Sequence, residues 1–205
     1  DLAIRLNPAL LVAINGRGVA NARLGRHEAA VQDFTLALRI EPHAFAFLVN
    51  RGHSLHNLRR LDAALADYDK ALSLRPDDAS TRVLRAAARN AAGNFADALP
   101  DLDEVIRIDP GRSSAFEVRS VSFHGLGKFD LALRDADEAI RLDSGSPYGF
   151  LNRGFALVAL ERSYEAIESF RHALRVAPRS ALAHRMIGRL LFGFGSLKPA
   201  LDHLE

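Results

Sequence analysis

Leu61-Asp-Ala-Ala-Leu-Ala-Asp-Tyr-Asp-Lys-Ala-Leu-Ser-Leu74 puts Leu61, Ala64, Leu65, Tyr68, Ala71 and Leu72 on one stripe, the three-and-four spacing of an amphipathic helix. Pro76 then stops it, because proline has no amide hydrogen with which to continue a helix. The same pattern returns along the chain. Pro8, Pro42, Pro76 and Pro110 are each 34 residues apart, and two further steps pass through Ser144 to Pro178. Ala30, Ala64, Ala98, Ala132, Ala166 and Ala200 keep that step, and Ala3, Ala37, Ala71, Ala139 and Ala173 form a second ladder broken at Val105. Small residues recurring in this way mark places where two helices approach closely.

Each period reads as two helical stretches of about 13 residues joined by a short turn. Gly25, Gly93, Gly127 and Gly195 occupy that turn at one phase, where a left-handed residue ends the first helix. No window alternates with a period of two for long enough to suggest a sheet. In these markers the whole chain resembles the tetratricopeptide repeat family, an all-α helix-turn-helix solenoid. The units in phase are 11–44, 45–78, 79–112, 113–146 and 147–180, with a partial unit 1–10 before them and a truncated unit 181–205 after. The family's small first-helix residue falls on Gly18, Gly52, Ala86, Ser120, Gly154 and Gly188. Its second-helix aromatic falls on Phe34, Tyr68 and Phe170, with Leu102, Ala136 and Leu204 in the other units. The resemblance implies a right-handed superhelix whose neighbours stack, since one unit cannot bury its apolar face alone.

The composition agrees with a globular chain and narrows its chemistry. With 205 residues, 48% hydrophobic and 25% charged, disorder is excluded; with no cysteine, so are disulfides, a thiol nucleophile and a zinc ribbon. Lys and Arg number 27 against 25 Asp and Glu, which gives no electrostatic case for a nucleic-acid or membrane-surface partner. No stretch approaches the roughly 20 apolar residues of a membrane helix. The chain opens at Asp1 and closes at Glu205, each inside an expected helix, so it reads as a piece of a longer protein with uncapped ends. No segment assigns a compartment, and cytoplasmic is the default alone.

Arg17, Arg51, Arg85, Arg119 and Arg153 precede the small position by one residue, and Asp33, Asp67, Asp101 and Asp135 stand sixteen later. We read these as Arg–Asp pairs joining the two helices, with bidentate geometry, rather than as an anion-binding groove. Arg153 faces Ser169 instead and remains a binding candidate. The family resemblance implies a concave surface lined by first helices, and transferring its inward positions gives Asn15, Val49, His53, His56, Asn57, Asn90, Glu117 and His124. It adds Tyr148, Leu151, Phe155, Arg185, Arg189 and Phe192 in the late, apolar part. That late face suits a bound peptide or neighbouring repeats equally. The family's terminal-carboxylate clamp is absent, because Asn15, Val19, Asn50, Ser80 and Leu84 occupy its places.

His53 and His56 lack a third ligand, so no metal or other cofactor is expected, and no dinucleotide, P-loop, zinc-protease or serine-hydrolase motif occurs. The expected function is a non-enzymatic scaffold that holds a protein or peptide partner in its groove. The alternatives are the recruitment arm of a larger enzyme, such as a transferase, and self-association through the array ends. Unit 79–112 is atypical: Arg82 and Arg89 replace the aromatic and Tyr of the family pattern, and Pro100 falls near the end of the second helix's first turn. This unit is expected to be the weakest layer and a hinge. Amide hydrogen exchange faster there than in 45–78 and 147–180 is the expected outcome, and slower exchange rules the hinge out.

Overall fold

The computed structural model describes residues 8–193. Among the described residues there are eleven helices and no strand. They are α1 (Pro8–Arg23), α2 (His27–Ile40), α3 (Phe45–Asn57), α4 (Leu61–Leu74), α5 (Ala79–Ala91) and α6 (Phe95–Ile108). Then follow α7 (Ser113–Gly125), α8 (Phe129–Leu142), α9 (Pro147–Ala159), α10 (Ser163–Val176) and α11 (Ala181–Gly193). Odd-numbered helices are the first of each pair and even-numbered ones the second. Gly195, Ala200 and Leu204, together with Ala3 and the partial unit's first residues, lie outside the described residues.

The chain divides into two compact units, residues 1–94 and 95–205, and the boundary falls between the two helices of the 79–112 repeat. In the first unit each helix from α1 to α4 packs on the next, around Ile14, Ala37, Leu38, Phe47, Leu48 and Ala71 and, further on, Leu55, Ala64, Tyr68 and Ala88. In the second unit α6 to α11 follow the same rule, with Leu151, Leu157, Ala166, Ile167, Phe170 and Ile187 in its core. The alanine ladders are the seams: Ala30, Ala64, Ala98, Ala132 and Ala166 are fully buried, as are Ala37, Ala71, Val105, Ala139 and Ala173.

The helices of a pair meet most closely at the small position. A Cβ on Gly52 would stand 2.8 Å from Tyr68 Cε1, and one on Gly154 only 2.5 Å from Phe170 Cε1. Glycine inside a helix costs about 1 kcal/mol against alanine, so its presence here reflects the ring that must lie against the backbone. Where the second helix carries Ala136 instead of a ring, Ser120 takes the small position and donates to the Ala132 carbonyl at 2.7 Å.

The turns after the first helices share one conformation, with Gly25, Gly93 and Gly127 at φ of 73°, 83° and 71°. Arg59 and Glu161 hold the same place in their repeats at φ 60°, although neither is glycine. Pro100 is the sixth residue of α6, in the second turn and not near the end of the first as expected, and the helix runs on to Ile108 despite it. Its ring removes the one bond that the Ala96 carbonyl would accept.

Tyr68 is fully buried, and its hydroxyl has no hydrogen-bond partner among the described residues. Burial raises its pKa well above the ordinary phenol value, with a smaller contribution from Asp67. Phe34 and Phe170 fill the equivalent places. Tyr68→Phe is therefore expected to raise stability by about 1 kcal/mol, the order of a relieved polar orphan, measured by urea denaturation.

Candidate functional site

The first helices carry their arginines against the second helices, and the geometry is a bridge rather than a groove. Arg17 donates from Nε and Nη2 to Asp33, at 3.1 and 2.5 Å, and Asn21 adds a bond to the same carboxylate. Arg51 reaches Asp67 at 2.8 and 2.7 Å, and Arg119 reaches Asp135 at 2.7 and 2.9 Å. The carboxylates are buried, so each needs its fork of donors. A second tier of partners was missed from the sequence. Arg85 holds Asp69 at 2.7 Å, Arg119 holds Asp103 at 2.7 Å and Arg153 holds Asp137 at 2.8 Å, each sixteen residues earlier on the preceding second helix. The recurrence of Asp69, Asp103 and Asp137 every 34 residues was the available signal. Asp101 is buried in the second unit, while Arg85 belongs to the first.

On the first-helix face of the first unit, Val49 packs on the core, His53 and Asn57 are exposed, and Asn15 and His56 are half-buried. Asn57 Nδ2 donates to the His53 carbonyl at 2.9 Å, and the His53 ring meets His27 edge-on at 6.4 Å. The Asn15 Oδ1 atom is buried without a described partner. Asn90 is not a surface group: it is 9% exposed, which corrects its place in the groove. No cluster of three His, Asp or Glu side chains among the described residues is placed to hold a metal ion.

The second unit has a recess of about 190 Å³ between α7 and α9, lined by Ser120, Val121, His124, Asn152 and Phe155. The Phe155 ring stands edge-on to Phe170 at 5.5 Å and to His124 at 6.4 Å. Asn152 is fixed by donating to the Glu117 carbonyl at 2.9 Å, and Ser146 donates to the Glu117 carboxylate. Burial raises the Glu117 pKa, the Ser146 bond opposes this, and Asp143 adds to it. Tyr148 is exposed beside this face, and Arg185, Arg189 and Phe192 are exposed along α11.

Two late candidates are corrected. Leu151 is 7% exposed and belongs to the core, because Tyr148, Asn152 and Phe155 share the outer face at four-and-three spacing, leaving Leu151 turned inward with Leu157. Asn152 is the residue that should have stood in its place. Arg153 is not unpaired: besides Asp137 it donates to Ser169 Oγ at 2.6 Å, the hydroxyl replacing the carboxylate of the other repeats.

Sequence profiles described as tetratricopeptide repeat match residues 13–43, 46–78, and 83–147 with 151–205. No curated protein matches the chain. Among solved structures, a thermophilic tetratricopeptide repeat protein of Thermus thermophilus is similar at 20% identity and a TM-score of 0.79, over 89% of this chain and 99% of that one. A tetratricopeptide repeat protein of Parabacteroides merdae gives 20% and 0.71, over 94% and 77%. MamA of Desulfovibrio magneticus gives 21% and 0.68, over 83% and 96%. At such identities the likeness is one of fold.

No helix of the described residues is long and apolar enough to cross a membrane. Partial desolvation of the rings against neighbouring side chains lowers the pKa values of His53, His56 and His124 from the ordinary histidine value, helped by His27 at His53 and by His53 and Arg59 at His56. The unfolded chain therefore takes up these protons first as pH falls below about 6.5. Stability is full above that pH and declines towards the lowered folded-state values. Thermal melts are expected to show a falling midpoint between about pH 7.5 and 5.5, shallower in a His53→Gln, His56→Gln variant. Equal slopes would contradict the assignment.

Proposed function

On the premise that this chain belongs to the tetratricopeptide repeat family, and is thereby a protein-interaction scaffold, we propose that it holds an extended peptide segment of a partner on the first-helix face of its second unit. The observation that supports this is the recess walled by Val121, His124, Asn152 and Phe155. It has room for one large apolar side chain, and its polar atoms are few and fixed, as in a site that selects by shape. Helices α9 and α11 carry no carboxylate, Arg153 is engaged by Asp137 and Ser169, and Arg185 and Arg189 form no ion pair with a described residue. A segment pairing an apolar anchor with an acidic residue towards α11 suits this face, whereas the half-buried Glu117 disfavours acid at the other side.

The chain acts in this reading by binding, with no reaction of its own. Selection of displayed random peptides against the protein is expected to enrich segments with a large apolar residue near Asp or Glu. Val121→Asp, which charges an exposed position on the recess wall, is expected to cost such peptides about 2 kcal/mol of affinity or more, with circular dichroism unchanged. Peptides that bind the parent and Val121→Asp equally would place the working surface elsewhere.

A further inference from the structure

The tier of carboxylates that faces the arginines from the preceding second helix is broken at one place. Arg85, Arg119 and Arg153 meet Asp69, Asp103 and Asp137 there. The residue sixteen before Arg51 is Thr35, whose hydroxyl lies 3.3 Å from Arg51 Nη1, longer than a charge-assisted bond. At that break is a recess of about 190 Å³ in the first unit, where Thr35, Arg39, Arg51 and Lys70 converge over Leu38, Pro42 and Leu48. No carboxylate lines it. Arg39 and Lys70 are exposed, and their side chains form no hydrogen bond or ion pair with a described residue. The buried counterion is Asp67, which Arg51 already engages through Nε and Nη2. Three cationic side chains against one carboxylate leave an excess of two positive charges around a small opening with a hydroxyl donor.

We propose that this recess is a binding site for a phosphate-class dianion, which occupies the place that a carboxylate holds in the other repeats. Arg51 Nη1 and Arg39 supply directional N–H donors, Lys70 a mobile point charge and Thr35 a hydroxyl donor, the mixture that phosphate oxygens accept. The site lies on the second-helix side of Arg51 and is independent of the peptide-binding face of the second unit. Its ligand is either the free ion or a phosphomonoester on a modified side chain.

The test titrates inorganic phosphate, and separately N-acetyl-O-phosphoserine amide, at constant ionic strength into the parent chain, an Arg39→Gln, Lys70→Gln variant and Thr35→Asp. Calorimetry and the Arg51 Nε–Hε NMR resonance are the readouts. Saturable binding to the parent is expected, weakened about tenfold or more by removing the two exposed cations. Thr35→Asp installs the missing carboxylate, so it is expected to abolish binding and to raise Tm by about 2 °C or more in phosphate-free buffer. Tighter binding of the phosphoserine amide marks a modified side chain as the source, and tighter binding of inorganic phosphate marks the free ion; each supports the site. Equal rises in Tm with phosphate in all three chains signify general salt stabilisation and overturn the proposal. So does a Thr35→Asp chain less stable than the parent.

Discussion

In the pairs that carry an aromatic second-helix residue, the closeness of the two helices is set by one contact, a ring lying on bare backbone. Tyr68 against Gly52 and Phe170 against Gly154 leave no room for a Cβ. The side chains around that contact inherit their positions from it. One residue earlier on each helix stand the arginine and the aspartate, so Arg51 and Asp67 come within 2.7 Å as a consequence of the approach of Gly52 and Tyr68. The alanine ladders close the remaining distance: these small side chains are completely buried along the seams, with Val105 the one larger residue in the second ladder.

The arginine bridges then tie neighbouring layers together. Arg119 spans Asp135 on its own pair's second helix and Asp103 on the preceding one, with its guanidinium 5.5 and 5.6 Å from the Phe116 and Phe123 rings. Such a bridge makes one repeat's geometry depend on the next, the nearest-neighbour coupling by which repeat arrays fold. Because the inner carboxylates, such as Asp67 and Asp135, are buried, loss of the arginine that holds one leaves an uncompensated charge, which costs more than the pair itself contributes. The break at Thr35 is informative for that reason: the repeat keeps its arginine there without the outer carboxylate.

Much of this was legible in the sequence, because the 34-residue ladders mark interfaces that admit few residue types. The Arg and Asp positions, the small-residue positions and the glycine turns all recur by number. What was not legible concerns rotation and local exceptions. A turn of roughly one residue about the α9 axis decides whether Leu151 or Asn152 reaches the outer face, and periodicity alone does not fix it. Arg59 and Glu161 take a left-handed turn conformation that only glycine signals in a sequence. Arg153 looked like a surface group because its partners, Asp137 and Ser169, lie on other helices.

The most direct measurement is a double-mutant cycle on Gly52→Ala and Tyr68→Leu by chemical denaturation. The methyl group is expected to clash with the Tyr68 ring, and the ring's removal to leave space that the methyl group fills. The account predicts that each change destabilises alone and that the double variant loses less than the sum, by about 1 kcal/mol or more. Additive losses would contradict it, because the glycine would then owe its place to something other than the ring.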